Sequence, residues 1–241
     1  MEDGRTRPRR WLALLLAALL GVLLPLPSWG RTAPVFTRLP EQTLILDPGH
    51  GGEDGGAVSV SGQPESGINL AIAKDADALL GFFGARVLLT RGEDVSIHDS
   101  GARTLREKKV SDLHNRVSLI NAAENATLLS IHQNASPDGR WHGAHVFYGD
   151  EVLSRPLAQT IQESIRDHLD PDNDREPQRA ASSIYLMNHI SCRAVLVECG
   201  FLSNPGEEKR LLDPAYQKKL AMILTAAYLT QGDTQEGESL I

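Results

Sequence analysis

Short runs of β-branched and leucine residues alternate along this chain with longer stretches in which apolar residues recur every three or four positions. Thr43-Leu-Ile-Leu-Asp47, Ala85-Arg-Val-Leu-Leu-Thr90, Thr127-Leu-Leu-Ser-Ile-His132, Ala144-His-Val-Phe-Tyr148 and Ala194-Val-Leu-Val-Glu198 read as strands, with a weaker one near Ser183 to Met187. Between them the spacing predicts helices from Gly67 to Leu80, Ser111 to Ala123, Glu151 to Leu169, Pro205 to Leu212 and Pro214 to Leu229. In the second of these, Leu113, Val117 and Ile120 keep to one face, and Ser111 stands where an N-cap belongs. The alternation predicts an α/β fold: a single domain with a mostly parallel, twisted sheet of about six strands flanked by helices. No repeat or low-complexity linker divides it, so the domain is expected over residues 41–231, with a polar tail at 232–241. Two long irregular segments, Arg91 to Val110 and Asp170 to Ser182, have the length of cleft walls or lids.

Composition narrows the partners. The 241 residues are 41% hydrophobic and 23% charged, enough for one ordinary core. The formal charge of -7 argues against a protein that neutralises phosphates, so nucleic acid is excluded as a partner. One apolar run, Trp11 to Leu24, is shorter than the roughly 18 residues of a confident membrane span. It follows Arg5, Arg7, Arg9 and Arg10 and ends in Pro25, Pro27 and Ser28-Trp29-Gly30, the order of an export signal. Residues 1–30 are therefore expected to be a signal peptide or, if uncleaved, an N-terminal membrane anchor, with the working domain outside the cytoplasmic membrane. Cys192 and Cys199 bracket an extended run that separates them by about 23 Å, whereas a disulfide needs less than about 7 Å. Free thiols are expected.

Ligands of open α/β sheets bind beyond the carboxyl ends of the strands. The first strand runs into Asp47-Pro-Gly-His-Gly-Gly-Glu-Asp-Gly-Gly56, the third ends in Ser130-Ile-His-Gln-Asn134 and the last in Glu198-Cys-Gly200. Glu65, in a loop before the first helix, can swing its carboxylate toward His50. His50, Glu65 and His132 form a ligand set for one catalytic zinc ion with a fourth position left to water. Glu198 remains as the general base; a carboxylate closing the run Ala-Val-Leu-Val is costly to bury unpaired and should face a cleft or a cation. Asp47 and Asp54 suit ligand orientation or turn capping better than metal binding. Taken singly, each residue has a plainer reading: a histidine at a strand end is more often hydrogen-bonded than ligating, and Glu65 suits a helix N-terminus. His142 and His145, three apart on a strand, face opposite ways, and His98, His114, His168 and His189 lack companions, so all six are expected to be structural. Trp141 either lines a substrate groove or simply packs.

These residues carry a resemblance. Leu46-Asp-Pro-Gly-His-Gly-Gly-Glu-Asp-Gly-Gly-Ala57, Glu65 before Asn69-Leu-Ala-Ile-Ala73, Val87-Leu-Leu-Thr-Arg91, Ser130-Ile-His-Gln-Asn134 and Val195-Leu-Val-Glu-Cys-Gly-Phe-Leu-Ser-Asn204 resemble the ordered motifs of the zinc N-acetylmuramoyl-L-alanine amidases of bacterial peptidoglycan. Ser100-Gly-Ala-Arg-Thr-Leu-Arg-Glu-Lys-Lys109 and Ser136-Pro-Asp-Gly-Arg-Trp-His-Gly-Ala144 are similar to the germination-specific members from endospore formers. The resemblance implies zinc ligation by His50, Glu65 and His132, catalysis by Glu198, and hydrolysis of the amide between N-acetylmuramic acid and L-alanine. It also implies a role in spore cortex, where a peptidoglycan deacetylase would complete conversion to muramic δ-lactam. Asn134, at the end of its motif, and Trp141 are the candidate substrate contacts. Two departures stand out: Ser66-Gly67 replaces a lysine and an acid after Glu65, which could loosen that ligand loop, and Cys199 replaces a branched residue. A zinc peptidase acting within the stem peptide, and a catalytically silent wall-binding regulator, are the alternative readings. No wall-binding module is evident, so the groove, an anchor or a helper protein must bring the domain to peptidoglycan.

Overall fold

The computed structural model describes residues 42–238, which lie within one compact unit. The expected signal or anchor at 1–30 lies outside the described residues. The elements run β1 (Thr43–Pro48), α1 (Glu65–Phe82), β2 (Arg86–Leu89), α2 (Leu105–Asn121), β3 (Ala126–Asn134), β4 (His145–Tyr148), α3 (Arg155–His168), β5 (Gln178–Arg179), α4 (Tyr185–His189), β6 (Arg193–Phe201), α5 (Pro205–Leu211) and α6 (Pro214–Glu238).

The six strands form one sheet in the order β2-β1-β3-β6-β4-β5. The β2-β1-β3-β6 portion is parallel throughout, while β4 lies antiparallel to β6. Period-two alternation divides the strand residues between two apolar layers. Leu44, Leu46, Leu129, Ile131, Val195 and Val197 meet Ile68, Ile72, Leu157, Ile161, Leu220 and Leu224 of α1, α3 and α6. Ile45, Leu128, Ala194 and Leu196 meet Ile120 of α2 and Leu186 and Met187 of α4 on the other face. Helices on both faces explain why β1 is buried along its whole length and why Leu44, Ile45 and Leu46 follow one another without a polar residue between them. Both cysteines are free thiols, as their spacing required.

Several expected elements are placed differently. Ser183 to Met187 is not the sixth strand: Tyr185–His189 is helical, and the edge strand is the two-residue β5. A short apolar run has no periodicity of its own, and here Leu186 and Met187 are buried side by side on one turn. Helix α2 begins six residues before the expected cap. Thr104 is its N-cap, accepting from the Glu107 amide while the Glu107 carboxylate accepts from the Thr104 amide. Ser111 lies inside the helix and its hydroxyl is bonded to Asp99. The first turns, Arg106-Glu-Lys-Lys109, are polar because they face solvent, so no apolar stripe marked them. Helix α3 starts at Arg155, with Pro156 in its first turn, rather than at Glu151, and α6 continues through Glu238 instead of stopping at Leu229. No helix among the described residues is long and apolar enough to cross a membrane.

The capping box gives a direct test. Thr104→Ala should destabilise the protein by about 1 kcal/mol, which for a domain of this size lowers the melting temperature by roughly 2–4 °C. Ser111→Ala should cost less than Thr104→Ala. Paired thermal melts of the two variants check the order, and equal losses would contradict the observed helix start.

Candidate active site

Where β1 ends, the chain must turn sharply beneath the ends of β2 and β3, and a buried polar network holds it there. Asp47, fully buried, accepts from the hydroxyls of Thr90 and Ser130 at 2.7 Å each and pairs with the Arg116 guanidinium. Burial opposes the charge on Asp47, but Arg116 and the two hydroxyls outweigh it and hold the carboxyl at about 2. Arg116 Nη1 donates to the Pro48 carbonyl and Nη2 to that of His50, while Nε donates to Asp112 at 2.7 Å. A second buried arginine, Arg91, donates from Nε to Pro48 and from Nη2 to both Gly49 and Ser66. That last pair ties the β1 exit to the first turn of α1.

Held this way, His50 adopts φ 61°, in the left-handed region that non-glycine residues rarely occupy. Gly49 before it lies against the His132 ring, where a Cβ would collide with the imidazole. Gly56, at φ 71°, passes over the Glu65 carboxylate and the His50 ring with no room for a side chain.

His50, Glu65 and His132 meet at the end of this turn, with one donor atom from each lying within 4.8 Å of the others. His50 Nε2 is 3.0 Å from Glu65 Oε1, His132 Nδ1 is 3.7 Å from Glu65 Oε2, and the two rings stand edge to face at 5.0 Å. Glu65 does not sit in a swinging loop. It opens α1, nearly fully buried, and its carboxylate accepts from the amides of Ala57 and Gln133 and from Asn69 Nδ2. Ser66 does not loosen it either, because its carbonyl is held by Arg91. Burial disfavours the Glu65 carboxylate, yet the His132 and His50 imidazoles bring its pKa well below the ordinary range. Burial likewise works against charge on His50, but hydrogen bonds to Asp54 and Glu65 push it up to about 9. The pocket favours a positive charge where the three donors converge. Two imidazoles and a carboxylate fit a metal ion there.

Asp54 lies beside the cluster: its Oδ2 is 3.0 Å from His50 Nδ1, leaving Nε2 to face Glu65, and Lys109 pairs with its other oxygen at 2.7 Å. Asp47 touches neither histidine and works through Arg116 on the His50 backbone. Glu198 is paired in register with His132 across β3 and β6. Its Oε2 is buried and has no hydrogen-bond partner. Burial raises the Glu198 carboxyl to about 7, partly offset by the His132 charge. A cavity of about 260 Å3 opens beside His50 and His132, walled by Lys109, Leu113 and Tyr185 of α2 and α4.

Asn134 lies at the end of β3 opposite Phe201, its carbonyl accepting from Leu202. Trp141 is half exposed and stacks on Phe201. The remaining histidines stay apart from the cluster, the sole group of its kind among the described residues. His142 precedes β4 instead of lying on it, so strand geometry does not set its direction. His98, His145, His168 and His189 bond to Ser96 and to the carbonyls of Glu176, Ser164 and Tyr185, and His114 packs on Tyr185. Arg116 and the connecting role of Arg91 were missed from sequence, although Asp112 and Arg116, spaced by four on the helix face that also carries Ile120, were a readable signal.

Residues 44–228 match the N-acetylmuramoyl-L-alanine amidase family. The chain belongs to this family. Among curated relatives, the germination-specific N-acetylmuramoyl-L-alanine amidase of Bacillus subtilis is 36% identical over 216 residues, 88% of this chain and 90% of that one. The CwlD amidase from Clostridioides difficile, solved in complex with the GerS lipoprotein, is 37% identical with a TM-score of 0.75, covering 78% of this chain and 96% of that one. A second amidase from Clostridium difficile 630 is 29% identical with a TM-score of 0.68, over 80% of this chain and 96% of that one. This amidase is therefore an enzyme of peptidoglycan with the sheet architecture of its relatives, and the stem-peptide peptidase and silent regulator give way to it.

The folded-state pKa of Asp47 lies below its ordinary value, so its contribution to the amidase's stability is complete above about pH 4 and is lost as pH falls toward 2. A depression of that size corresponds to about 2 kcal/mol. Asp47→Asn should flatten stability against pH below 4, and at neutral pH should cost about 3 kcal/mol by leaving Arg116 short of a countercharge. Urea denaturation from pH 2 to pH 7 checks both, and an unchanged acid slope would count against the pairing.

Proposed function

We propose that this amidase is a zinc hydrolase cleaving the amide between N-acetylmuramic acid and the first L-alanine of the stem peptide. The observation that carries the reading is the convergence of His50, Glu65 and His132 beside the unpartnered Glu198 oxygen. His50 through Nε2, the Glu65 carboxylate and an imidazole nitrogen of His132 would hold one zinc ion. Zinc, when bound, polarises a carbonyl and lowers the pKa of water toward about 7. Glu198 Oε2 takes a proton from the attacking water and delivers it to the departing amine. Asp54 keeps the His50 proton on Nδ1, and Arg91 and Arg116 keep the ligand segments from drifting apart. Asn134 and Trp141 are assigned to substrate binding.

The catalytic domain is assigned to residues 41–231, and residues 1–30 to export, cleaved or retained as an anchor, which places the enzyme in the cell wall or spore cortex. The germination-specific relative supports a cortex role, with a deacetylase acting next toward muramic δ-lactam. The clostridial neighbour bound to a lipoprotein supports a helper protein for this chain as well.

Purified protein should contain one zinc ion, and His50→Ala or His132→Ala should lose most of it by elemental analysis. Full metal content in both variants would eliminate this ligand set. Glu198→Gln should keep metal and fold while turnover falls by roughly 100-fold or more. Turnover near that of the parent in a zinc-loaded sample would remove Glu198 from the mechanism. Mass spectrometry of digested peptidoglycan, with and without chelator, should show chelator-sensitive release at the muramic acid–alanine bond.

A further inference from the structure

Beyond the ligand cluster, the segment before β4 and the segment after α3 face each other across a groove of about 340 Å3. Asp138, Trp141, His142, Asp172, Asn173 and Arg175 line it. Its floor is a braced aromatic platform. The Trp141 ring lies 26° from parallel with Phe201 at 6.5 Å, and the Arg175 guanidinium stands 5.5 Å from the first ring and 5.4 Å from the second. Arg175 is fixed in turn, donating to the His142 carbonyl at 3.0 Å. Asn173 is buried and donates to the Ala144 carbonyl, and Arg166 donates to the carbonyls of both Asn173 and Arg175. Despite this bracing Trp141 remains 52% exposed. An indole so fixed offers a flat apolar face whose ordering cost is already met.

Charge decides what can lie on that face. Arg140 is engaged with Asp138 through a two-pronged contact, and Arg175 is spent on the rings and the His142 carbonyl. Asp172 and Asp174 make no ion pair with the described residues. Set against Arg140 and Arg175, the carboxylates of Asp138, Asp172 and Asp174 leave the lining with one net negative charge, which disfavours a carboxylate-bearing peptide, whereas a neutral ring bearing hydroxyl and acetamide groups can stack on Trp141 and bond to Asp172, Asp174 and His142. Phe201 follows Glu198 by three residues on β6, at most about 10 Å along the strand. The platform therefore lies within reach of a sugar adjoining the one held at the reacting centre. We propose that the Trp141 groove is a subsite for a neutral N-acetylhexosamine of the glycan strand. It deepens the amidase reading and rests on it only for the kinetic half of the test.

The chain has three tryptophans, Trp11, Trp29 and Trp141, and the last lines the groove. Full-length protein carrying Trp11→Phe and Trp29→Phe makes its emission a reporter. Titration with an N-acetylglucosamine tetramer should give a saturable change, and a carboxylate-bearing stem tripeptide should give none. In the kinetic half, Trp141→Ala should raise KM for polymeric peptidoglycan roughly tenfold more than KM for a single muramyl peptide. Trp141→Phe should recover part of the loss, with zinc content and circular dichroism matching the parent. No emission change with the tetramer, an equal response to the tripeptide, or equal KM increases on both substrates would overturn the subsite. Saturable glycan binding by a protein that cleaves neither substrate would support the subsite while refuting the amidase reading.

Discussion

The site depends on a buried charge pair that lies outside the cluster of His50, Glu65 and His132. Asp47 and Arg116 meet beneath the sheet's carboxyl edge, and the guanidinium passes the constraint to the carbonyls of Pro48 and His50. Arg91 extends it to Gly49 and Ser66, so that one side chain sets the separation between the segments bearing His50 and Glu65. Buried ion pairs often contribute little net stability because desolvation offsets their attraction. Here the return is positional: His50 is kept in a left-handed conformation that the free chain would leave.

Around that anchor, carboxylates of the same chemical type are given opposite characters. Glu65 receives two imidazoles and three N–H donors and stays ionised, whereas Glu198, a strand away, has an oxygen with no donor and is raised to about 7. Environments that push two acids apart leave one as a fixed anion and hold the other near the point where it exchanges a proton at neutral pH. The division follows from backbone placement. Glu65 opens a helix and collects amides, while Glu198 lies within β6 between Val197 and Cys199.

The walls come from irregular segments. Ser96 and Ile97 are pinned to Asp112, beside Arg116 on α2, so the long connection after β2 packs against the turn that carries His50 as a fixed wall. On the other flank, Trp141 and Arg175 come from connections far apart in sequence, and Phe201 at the end of β6 brings them together. Length marked Arg91 to Val110 and Asp170 to Ser182 as cleft-forming, but nothing in either segment indicated its partner.

The α/β alternation, the strand ends carrying His50, His132 and Glu198, and the free cysteines were all legible in the sequence, because local periodicity and strand polarity dictate them. Glu65 was also visible as a candidate, though as a mobile loop residue, since the Arg91 contact that fixes its helix spans 25 positions. Thr104 and Glu107 spelled their cap openly, yet the solvent-facing turn behind them carried no apolar stripe to draw attention to it. Tertiary structure alone decided the fate of Ser183 to Met187, the pairing of Asp47 with Arg116, and the stacking of Trp141, Phe201 and Arg175. A sequence specifies which residues want burial, but which buried charge meets which, and which exposed ring is braced, depends on contacts that form only when distant segments pack.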